Sequence, residues 1–216
     1  MRLAYVVDVH GRFGAVAEAV TSVGRVDLLI VGGDLTNAGS ADDAERAIQS
    51  WRPLAASLLA VAGNMDSPEI DARLVELGVS IDGRGTVIDG VGVFGVSAAP
   101  FSPLHTPYEA AEDELERRIE AGFAGVAGAR VLVFCPHAPP RGTACDRLRS
   151  GRHVGSEVVR SFVDREQPDL VLCGHIHESR GVDEVGRSRI VNPGPVAAGH
   201  HAVVELDGGG VEVRLD

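Results

Sequence analysis

The chain has 216 residues, 44% of them hydrophobic, which is enough for one domain with a sizeable core. Its formal net charge is −11 and none of its 20 basic residues is Lys, so its composition argues against sequence-blind binding to long nucleic acid, which relies on a basic surface. The 27 glycines and the low aromatic content of 4% favour an α/β fold with many tight connections over an aromatic-rich β protein.

Membrane and disulfide signals are both weak. No segment approaches the roughly 20 consecutive apolar residues of a membrane helix, and the N-terminal apolar run is too short for a secretory signal. The three cysteines, Cys135, Cys145 and Cys173, fit no C-x-x-C spacing. We therefore expect free thiols, a cytoplasmic location and no membrane attachment.

Strand and helix patterns alternate over the first third of the chain. Compact apolar runs predict buried strands, and the stretches between them have helical periodicity and capping residues. The predicted strands span residues 2–8, 26–34 and 57–64, and the predicted helices span residues 14–23, 40–51 and 67–78. This βαβαβα order predicts a largely parallel sheet with helices on its faces.

The rest of the chain mixes hairpins with further strand and helix patterns. We predict a hairpin at 85–97, a Pro-rich loop at 99–107, a charged helix at 108–122, a strand at 129–136, a helix at 156–167, a strand at 168–175, a hairpin at 178–194 and strand structure at 200–216. The closing antiparallel strands predict a second sheet packed on the first. Because no repeat or linker interrupts the chain, we expect a single domain over residues 1–216. We expect the charged helix to expose its polar face to solvent, with a surface that binds a partner as the alternative.

Residues of metal-binding type follow five of the predicted strands. They are Asp8, His10, Asp34, Asn64, His137, His175 and His177. Ligands of open α/β sheets bind beyond the carboxyl ends of strands, so these side chains are expected to converge. Two pairs are spaced i and i+2, which places side chains on one face of an extended segment. Each residue alone has a structural explanation, such as helix capping or a turn, but the joint pattern favours a binding site.

Seven such side chains are more than one tetrahedral zinc ion needs. They suit two divalent ions, with Asp34 as the natural shared ligand because its two oxygens can reach two ions. Mixed oxygen and nitrogen ligands without Cys favour Mn, Fe, Zn or Ni, with Mn first, over Ca or a structural zinc. Two ions about 3.5–4 Å apart serve metal-assisted phosphoester hydrolysis, with a hydroxide held between them as the nucleophile. Bound ions would also reconcile an acidic chain with a phosphate substrate.

The motifs "DVH", "GGD", "GNMD", a lone "H" and "GHIH" occur in that order. They resemble the calcineurin-like metallophosphoesterases, whose pattern is D-x-H, G-D, G-N-H-[DE], H and G-H-x-H, and "NPGP" at 192–195 resembles a turn of the small prokaryotic members. The resemblance implies an α/β fold: a single-domain four-layer αββα sandwich with two mixed β-sheets and a metal site at the C-terminal strand ends. It also implies that the first ion is held by Asp8, His10, Asp34 and His177, and the second by Asp34, Asn64, His137 and His175.

One position departs from the family pattern. Met65 stands where many members have a His that contacts the phosphate and is proposed to protonate the leaving oxygen, and a thioether can do neither. Small phosphodiesterase members also lack this His and are active. We therefore expect a preference for substrates with good leaving groups, with phosphodiesters as the expected class. Asp66 could support the site from outside the ligand set or form the turn before the next helix, and we favour the turn.

Several further polar residues could border the site. His153, Arg152 and Arg141 lie in the loop at 138–155, and His105 lies in the Pro-rich loop. We take His153, Arg141 and His105 as candidate substrate-contacting residues. Ser156 is the predicted N-cap of the next helix, and a helix N-terminus close to the metals would be a second anion site. His200 and His201, at the start of a late strand, are expected to be structural or exposed.

The leading hypothesis is a metal-dependent phosphoesterase that hydrolyses a small phosphodiester or nucleotide. The first alternative is a phosphomonoesterase or phosphoprotein phosphatase that uses the same site. The second is a non-catalytic metal-binding interaction module, as in a member of this fold that has lost metal ligands. No ligand of the family pattern is lost here, which weighs against the second alternative. A homo-oligomer is compatible with the sequence.

Overall fold

Short buried strands and amphipathic helices build two packed sheets in the computed structural model, which describes residues 1–207 and 210–216. The strands are β1 Arg2–Val6, β2 Leu28–Val31, β3 Ser57–Ala60, β4 Gly85–Ile88, β5 Val91–Val96, β6 Ala99–Pro100, β7 Glu109–Ala110, β8 Val131–Pro136, β9 Leu170–Leu172, β10 Gly181–Val185, β11 Ser188–Asn192, β12 Ala202–Asp207 and β13 Gly210–Leu215. The helices are α1 Phe13–Ser22, α2 Ala41–Trp51, α3 Pro68–Glu76, α4 Glu112–Ala124 and α5 Glu157–Glu166.

Three apolar cores separate four layers. Residues of β1 alternate between two of these cores: Ala4 and Val6 face the core shared with α1, α2 and α3, whereas Leu3 and Tyr5 face the second sheet. A third core joins the second sheet to α4 and α5. The expected αββα sandwich with two mixed sheets is therefore confirmed. No helix within the described ranges is both long and apolar enough to cross a bilayer.

The first sheet has the strand order β13-β12-β1-β2-β3. Strands β1, β2 and β3 are parallel, as the βαβαβα pattern predicts. The closing hairpin of β12 and β13 adds to this sheet, with β12 antiparallel to β1. Our expectation that these last strands belong to a second sheet is wrong, because the free edge of β1 accepts them. Gly208 and Gly209, which fall in the predicted strand segment, lie outside the described residues.

The second sheet has the order β10-β11-β9-β8-β5-β4. The predicted hairpins at 85–97 and 178–194 form its two ends as β4–β5 and β10–β11, with β8 and β9 between them. The four inner strands β11, β9, β8 and β5 are parallel to one another. Its strands β8 and β9 end at the same side of the sandwich as β1, β2 and β3. The carboxyl ends of five parallel strands from two sheets thus meet at one edge.

The segment before α4 differs from the prediction. The helix begins at Glu112, four residues later than expected, since Tyr108 and Glu109 are held in a loop. The Tyr108 backbone N–H donates to the Asn64 carbonyl oxygen (3.0 Å), and the Glu109 carboxylate accepts from the hydroxyls of Ser102 and Thr106. Residues 99–110 also contain the short parallel pair β6–β7, which the sequence did not predict. These bonds fix residues 98–110 as an ordered loop.

Candidate metal centre

Five loops carry the residues of metal-binding type to the shared edge of the two sheets. Asp8 and His10 follow β1, Asp34 follows β2, and Asn64 follows β3. From the second sheet, His137 follows β8, and His175 and His177 follow β9. The structure brings all seven predicted residues together in two neighbouring groups that share Asp34.

The backbone around these residues is unusual. Asp8, His10, Asp34 and His175 have φ of 54°, 50°, 50° and 65°, a left-handed conformation that non-glycine residues seldom adopt. Such strained positions cluster at functional sites, where surrounding contacts hold them. The expectation that the i and i+2 pairs share one face of an extended strand is wrong, because β1 ends at Val6 and His177 opens a 3-10 turn. Turns after the strands aim these side chains.

The first group consists of Asp8, His10, Asp34 and His177. One candidate ligand atom from each lies within 4.8 Å of the other three. His10 Nε2 and His177 Nε2 face each other at 3.1 Å. Asp34 Oδ2 lies 3.7 Å from His10 Nε2, and Asp8 Oδ2 lies 3.6 Å from His177 Nε2. Two carboxylates and two imidazoles therefore surround one small space.

The second group gathers around the Asn64 carboxamide oxygen. His137 Nε2 lies 2.9 Å from Asn64 Oδ1, and His175 Nδ1 lies 2.7 Å from the same atom. The other Asp34 oxygen, Oδ1, lies 3.5 Å from His137 Nε2. Asp34 thus turns one oxygen towards each group, which is the arrangement required of a shared carboxylate.

Two glycines allow this close packing. A Cβ on Gly63 would lie 2.1 Å from Asp34 Oδ1 and 2.2 Å from the Asp34 backbone nitrogen. Gly33 has φ of +104°, and a Cβ there would lie 2.5 Å from His137 Nδ1. Only glycine leaves room for the carboxylate and the imidazole at these points. The second glycine of the "GGD" motif and the glycine of the "GN" motif are therefore explained by contacts to the candidate ligands.

Burial raises the pKa of both carboxyl groups. Asp8 is fully buried and Asp34 is 2% exposed. The pKa of Asp8 lies well above its usual value because of burial and then the nearby charge of Asp34, and burial also raises the pKa of Asp34. Among residues 1–207 and 210–216, no Arg pairs with either carboxylate. The charge of two ionised carboxylates would thus be uncompensated without bound cations.

The two imidazoles of the second group are in the form that binds metals. Burial lowers the pKa of His137 to about 4 and that of His175 to about 3, so both are neutral near pH 7. His137 Nδ1 donates to the Gly32 carbonyl oxygen (2.8 Å), which leaves a lone pair on Nε2. Nε2 lies 2.9 Å from Asn64 Oδ1, so the lone pairs of the two atoms repel each other. A cation that both atoms coordinate would remove this repulsion. The residues present therefore fit divalent metal ions.

Supporting residues around the ligands were only partly foreseen. Asn37 Oδ1 accepts from His10 Nδ1 (2.7 Å), and its Nδ2 donates to the His10 carbonyl oxygen (3.3 Å), so His10 Nε2 is free for a metal. The Asn37 side chain was missed, since nothing in its loop sequence singles it out. The buried Asp66 carboxylate closes its own turn by accepting from Gly63 N (2.9 Å). It also accepts from Leu35 N, Thr36 N and the Thr36 hydroxyl, which ties the loops after β2 and β3 together.

The candidate substrate-contacting residues separate in the structure. Arg141 and His153 line a cleft of about 640 Å³ that also reaches His175. His105 is exposed in the loop between β6 and β7 and lies outside the lining of this cleft. His201 is buried beside Asp216, in line with a structural role.

The expected second anion site at α5 is already filled. The Glu112 carboxylate accepts from the Ser156 hydroxyl (2.7 Å), Glu157 N (2.9 Å) and Val158 N (3.2 Å). Ser156 is the N-cap, as predicted, because its hydroxyl accepts from Val159 N. A carboxylate of the protein therefore occupies the N-terminus of this helix.

Comparisons with known proteins agree with this geometry. An uncharacterized protein of Methanocaldococcus jannaschii is 28% identical over 199 residues, which are 90% of this chain and 88% of that protein. The fold is shared with the protein TT1561 of Thermus thermophilus (TM-score 0.75, 19% identity, 99% and 97% of the two chains) and with a dimetal phosphatase of Danio rerio (TM-score 0.61, 12% identity, 100% and 98%). Residues 1–179 match the family described as calcineurin-like phosphoesterase, and the chain belongs to this family.

Proposed function

We propose that this chain is a metal-dependent phosphodiesterase that binds two divalent ions, with Mn²⁺ as the first candidate. The observation that carries the proposal is the position of Asp34, whose two oxygens face two groups of candidate ligands. One ion would be held by Asp8, His10, Asp34 and His177, and the other by Asp34, Asn64, His137 and His175. Ions bound there would neutralise phosphoryl charge and lower the pKa of a water molecule that attacks phosphorus.

The protein residues contribute orientation and charge. Asn37 and the Gly32 carbonyl fix the rings of His10 and His137, so that Nε2 of each faces the site. The Asp66 carboxylate holds the loops that present Asp34 and Asn64. This support pre-organises the reacting groups, and charge stabilisation by pre-organised groups is usually the largest single contribution to catalysis.

Met65 supports substrates with good leaving groups, and we propose diesters as the class that supplies them. Its backbone N–H donates to Asp34 Oδ1 (2.7 Å), so the residue lies beside the shared carboxylate, yet its thioether cannot donate a proton to a leaving oxygen. A diester with a good leaving group needs less help from such a donor than a monoester of a poor leaving alcohol.

Metal content and substrate choice test the proposal together. We would load the protein with Mn²⁺, desalt it and measure bound metal by mass spectrometry for the parent, for Asp34→Ala and for the control Asp113→Ala, whose side chain is 79% exposed on α4. Two ions per parent chain, at most one in Asp34→Ala and a loss of more than about 100-fold in hydrolysis are expected. The control should match the parent.

Four results would contradict the proposal. One ion per parent chain, or an unchanged count in Asp34→Ala, would refute the shared carboxylate. Faster hydrolysis of p-nitrophenyl phosphate than of bis-p-nitrophenyl phosphate would instead favour a phosphomonoesterase. Metal binding without hydrolysis of either ester would favour a non-catalytic module.

A further inference from the structure

A cleft next to the candidate metal centre has the shape and charge of a binding site. It lies between the loop at 98–108 and the loop at 138–155, and His175 lines its inner end. A substrate whose phosphorus lies at the metal centre would therefore extend its next group into this space. Its volume of about 640 Å³ is within the roughly 300–1,000 Å³ typical of small-molecule sites.

Both walls of the cleft are apolar. Phe101 and Leu104 form one wall and are 72% and 79% exposed, the largest exposures among the large hydrophobic side chains of the described residues. Leu148, Val154 and Ile176 form the other wall. An exposed apolar pair of this kind lowers its free energy when a flat apolar group covers it.

Hydrogen-bonded carboxylates hold the two walls in position. Glu109 accepts four hydrogen bonds from the backbone and hydroxyls of Ser102 and Thr106, on either side of Leu104. Asp146, which is fully buried, accepts from Gly142 N, Thr143 N, Gly155 N and His153 Nδ1. Since both loops are fixed before a ligand arrives, little conformational entropy is lost on binding.

The lining of the cleft is positive on an otherwise acidic chain. Arg141 and Arg152 line it, and no Asp or Glu does among the described residues. The Arg152 side chain is exposed and has no hydrogen bond or ion pair within the described part of the chain. Arg141 pairs only with the exposed Glu157 (3.3 Å), a contact weak enough to exchange for a ligand. Guanidinium groups in this setting suit a phosphate.

We propose that this cleft binds a nucleoside that carries a second phosphate, with its base against Phe101 and Leu104 and that phosphate at Arg141 and Arg152. The proposal rests on the function proposed above and names its substrate class as nucleotide phosphodiesters. A base offers the flat apolar face that packs on aromatic and aliphatic side chains, and stacking on an aromatic residue contributes about 1–3 kcal/mol per base. The second phosphate would pair with the Arg152 guanidinium, which has no partner among the described residues.

Three esters with one leaving group test the proposal. Methyl p-nitrophenyl phosphate, thymidine 5′-(p-nitrophenyl phosphate) and the 3′-phosphorylated form of the latter all release p-nitrophenolate. In the parent, kcat/KM is expected to rise about tenfold with the nucleoside and again with the 3′-phosphate. Phe101→Ala should remove the first gain, whereas Val87→Ala, a control 53% exposed on the edge strand β4, should retain it.

The second gain is tested at the cation. Arg152→Gln should abolish the gain from the 3′-phosphate. Arg25→Gln should not, because Arg25 is 93% exposed in the turn before β2, at the opposite ends of the strands. Equal kcat/KM values for the three esters, or gains that survive in Phe101→Ala and Arg152→Gln, would overturn the cleft proposal and leave the proposed function standing.

A binding measurement separates the two proposals. If none of the esters is hydrolysed, the proposed function fails, and the cleft is judged on binding alone. Saturation-transfer NMR with thymidine 3′,5′-bisphosphate in EDTA needs neither metal nor turnover. Transfer to the thymine protons in the parent that is lost in Phe101→Ala would support the cleft proposal, and no transfer in the parent would overturn it.

Discussion

Asp71 carries a buried carboxyl group whose titration contributes to the pH dependence of stability. It lies on α3 and is 7% exposed. Its Oδ1 accepts from the Ser97 hydroxyl and its Oδ2 from the Tyr108 hydroxyl, both at 2.9 Å. Tyr108 closes the loop that carries Phe101, so this carboxyl joins α3 to one wall of the cleft. Arg118 and Asp82 complete the charged surroundings.

Burial, followed by the charge of Asp82, raises the pKa of Asp71 to about 7, against an unfolded value of about 3.9. At a pH between these two pKa values, the folded state therefore holds a proton that the unfolded state has lost. The resulting stabilisation is complete below pH 4 and disappears as the pH rises through 7. Three pKa units correspond to about 4 kcal/mol, of which about 2 to 3 kcal/mol is lost between pH 5 and pH 8.

The variant Asp71→Asn removes this titration and keeps the shape of the side chain. We expect the free energy of unfolding of the variant minus that of the parent to increase by about 2 to 3 kcal/mol between pH 5 and pH 8, because only the parent loses stability over this range. Urea unfolding in EDTA, followed by fluorescence of the single, buried Trp51, measures this difference without a metal contribution. Asp113→Asn, exposed on α4, is the control.

The comparison of parent and variant removes the contribution of titrating groups that do not interact with Asp71, because they are the same in both proteins. A difference between Asp71→Asn and the parent that stays constant within about 0.5 kcal/mol from pH 5 to pH 8 would refute the reasoning. So would a change in the opposite direction, since that would mean a folded carboxyl group with a lowered pKa.

Two further predictions concern the metal centre. In Gly63→Ala the new Cβ collides with the Asp34 backbone nitrogen, so we expect Mn²⁺ affinity, measured by calorimetry, to fall more than about 10-fold. Gly128→Ala, which has open space around its Cβ, should bind Mn²⁺ as the parent does. Equal affinities of Gly63→Ala and the parent would contradict the steric argument. Met65→His supplies a proton donor beside Asp34 and should raise kcat on esters of poor leaving alcohols by about 10-fold or more, relative to p-nitrophenyl esters. Unchanged rates on both classes of ester would show that this position does not assist the leaving group.

The sequence alone determined the order of most elements and indicated the candidate site residues. Alternating apolar runs and capping signals are local, so the parallel strands β1 to β3 and the two hairpins of the second sheet followed from them. The positions of Asp34, Asn64 and His137 were also readable, because each follows a strand, and strand ends gather at one edge of a sheet.

Tertiary structure decided what depends on contacts between distant residues. The closing hairpin joined the first sheet because β1 offered a free edge, and Glu112 took the N-terminus of α5 from 45 residues away. The left-handed turns at Asp8 and His175 aim the ligands, where the sequence had suggested straight strands. Local patterns fix which residue types stand at a strand end, but the direction of a side chain and the partner it meets depend on the packing of two sheets against each other.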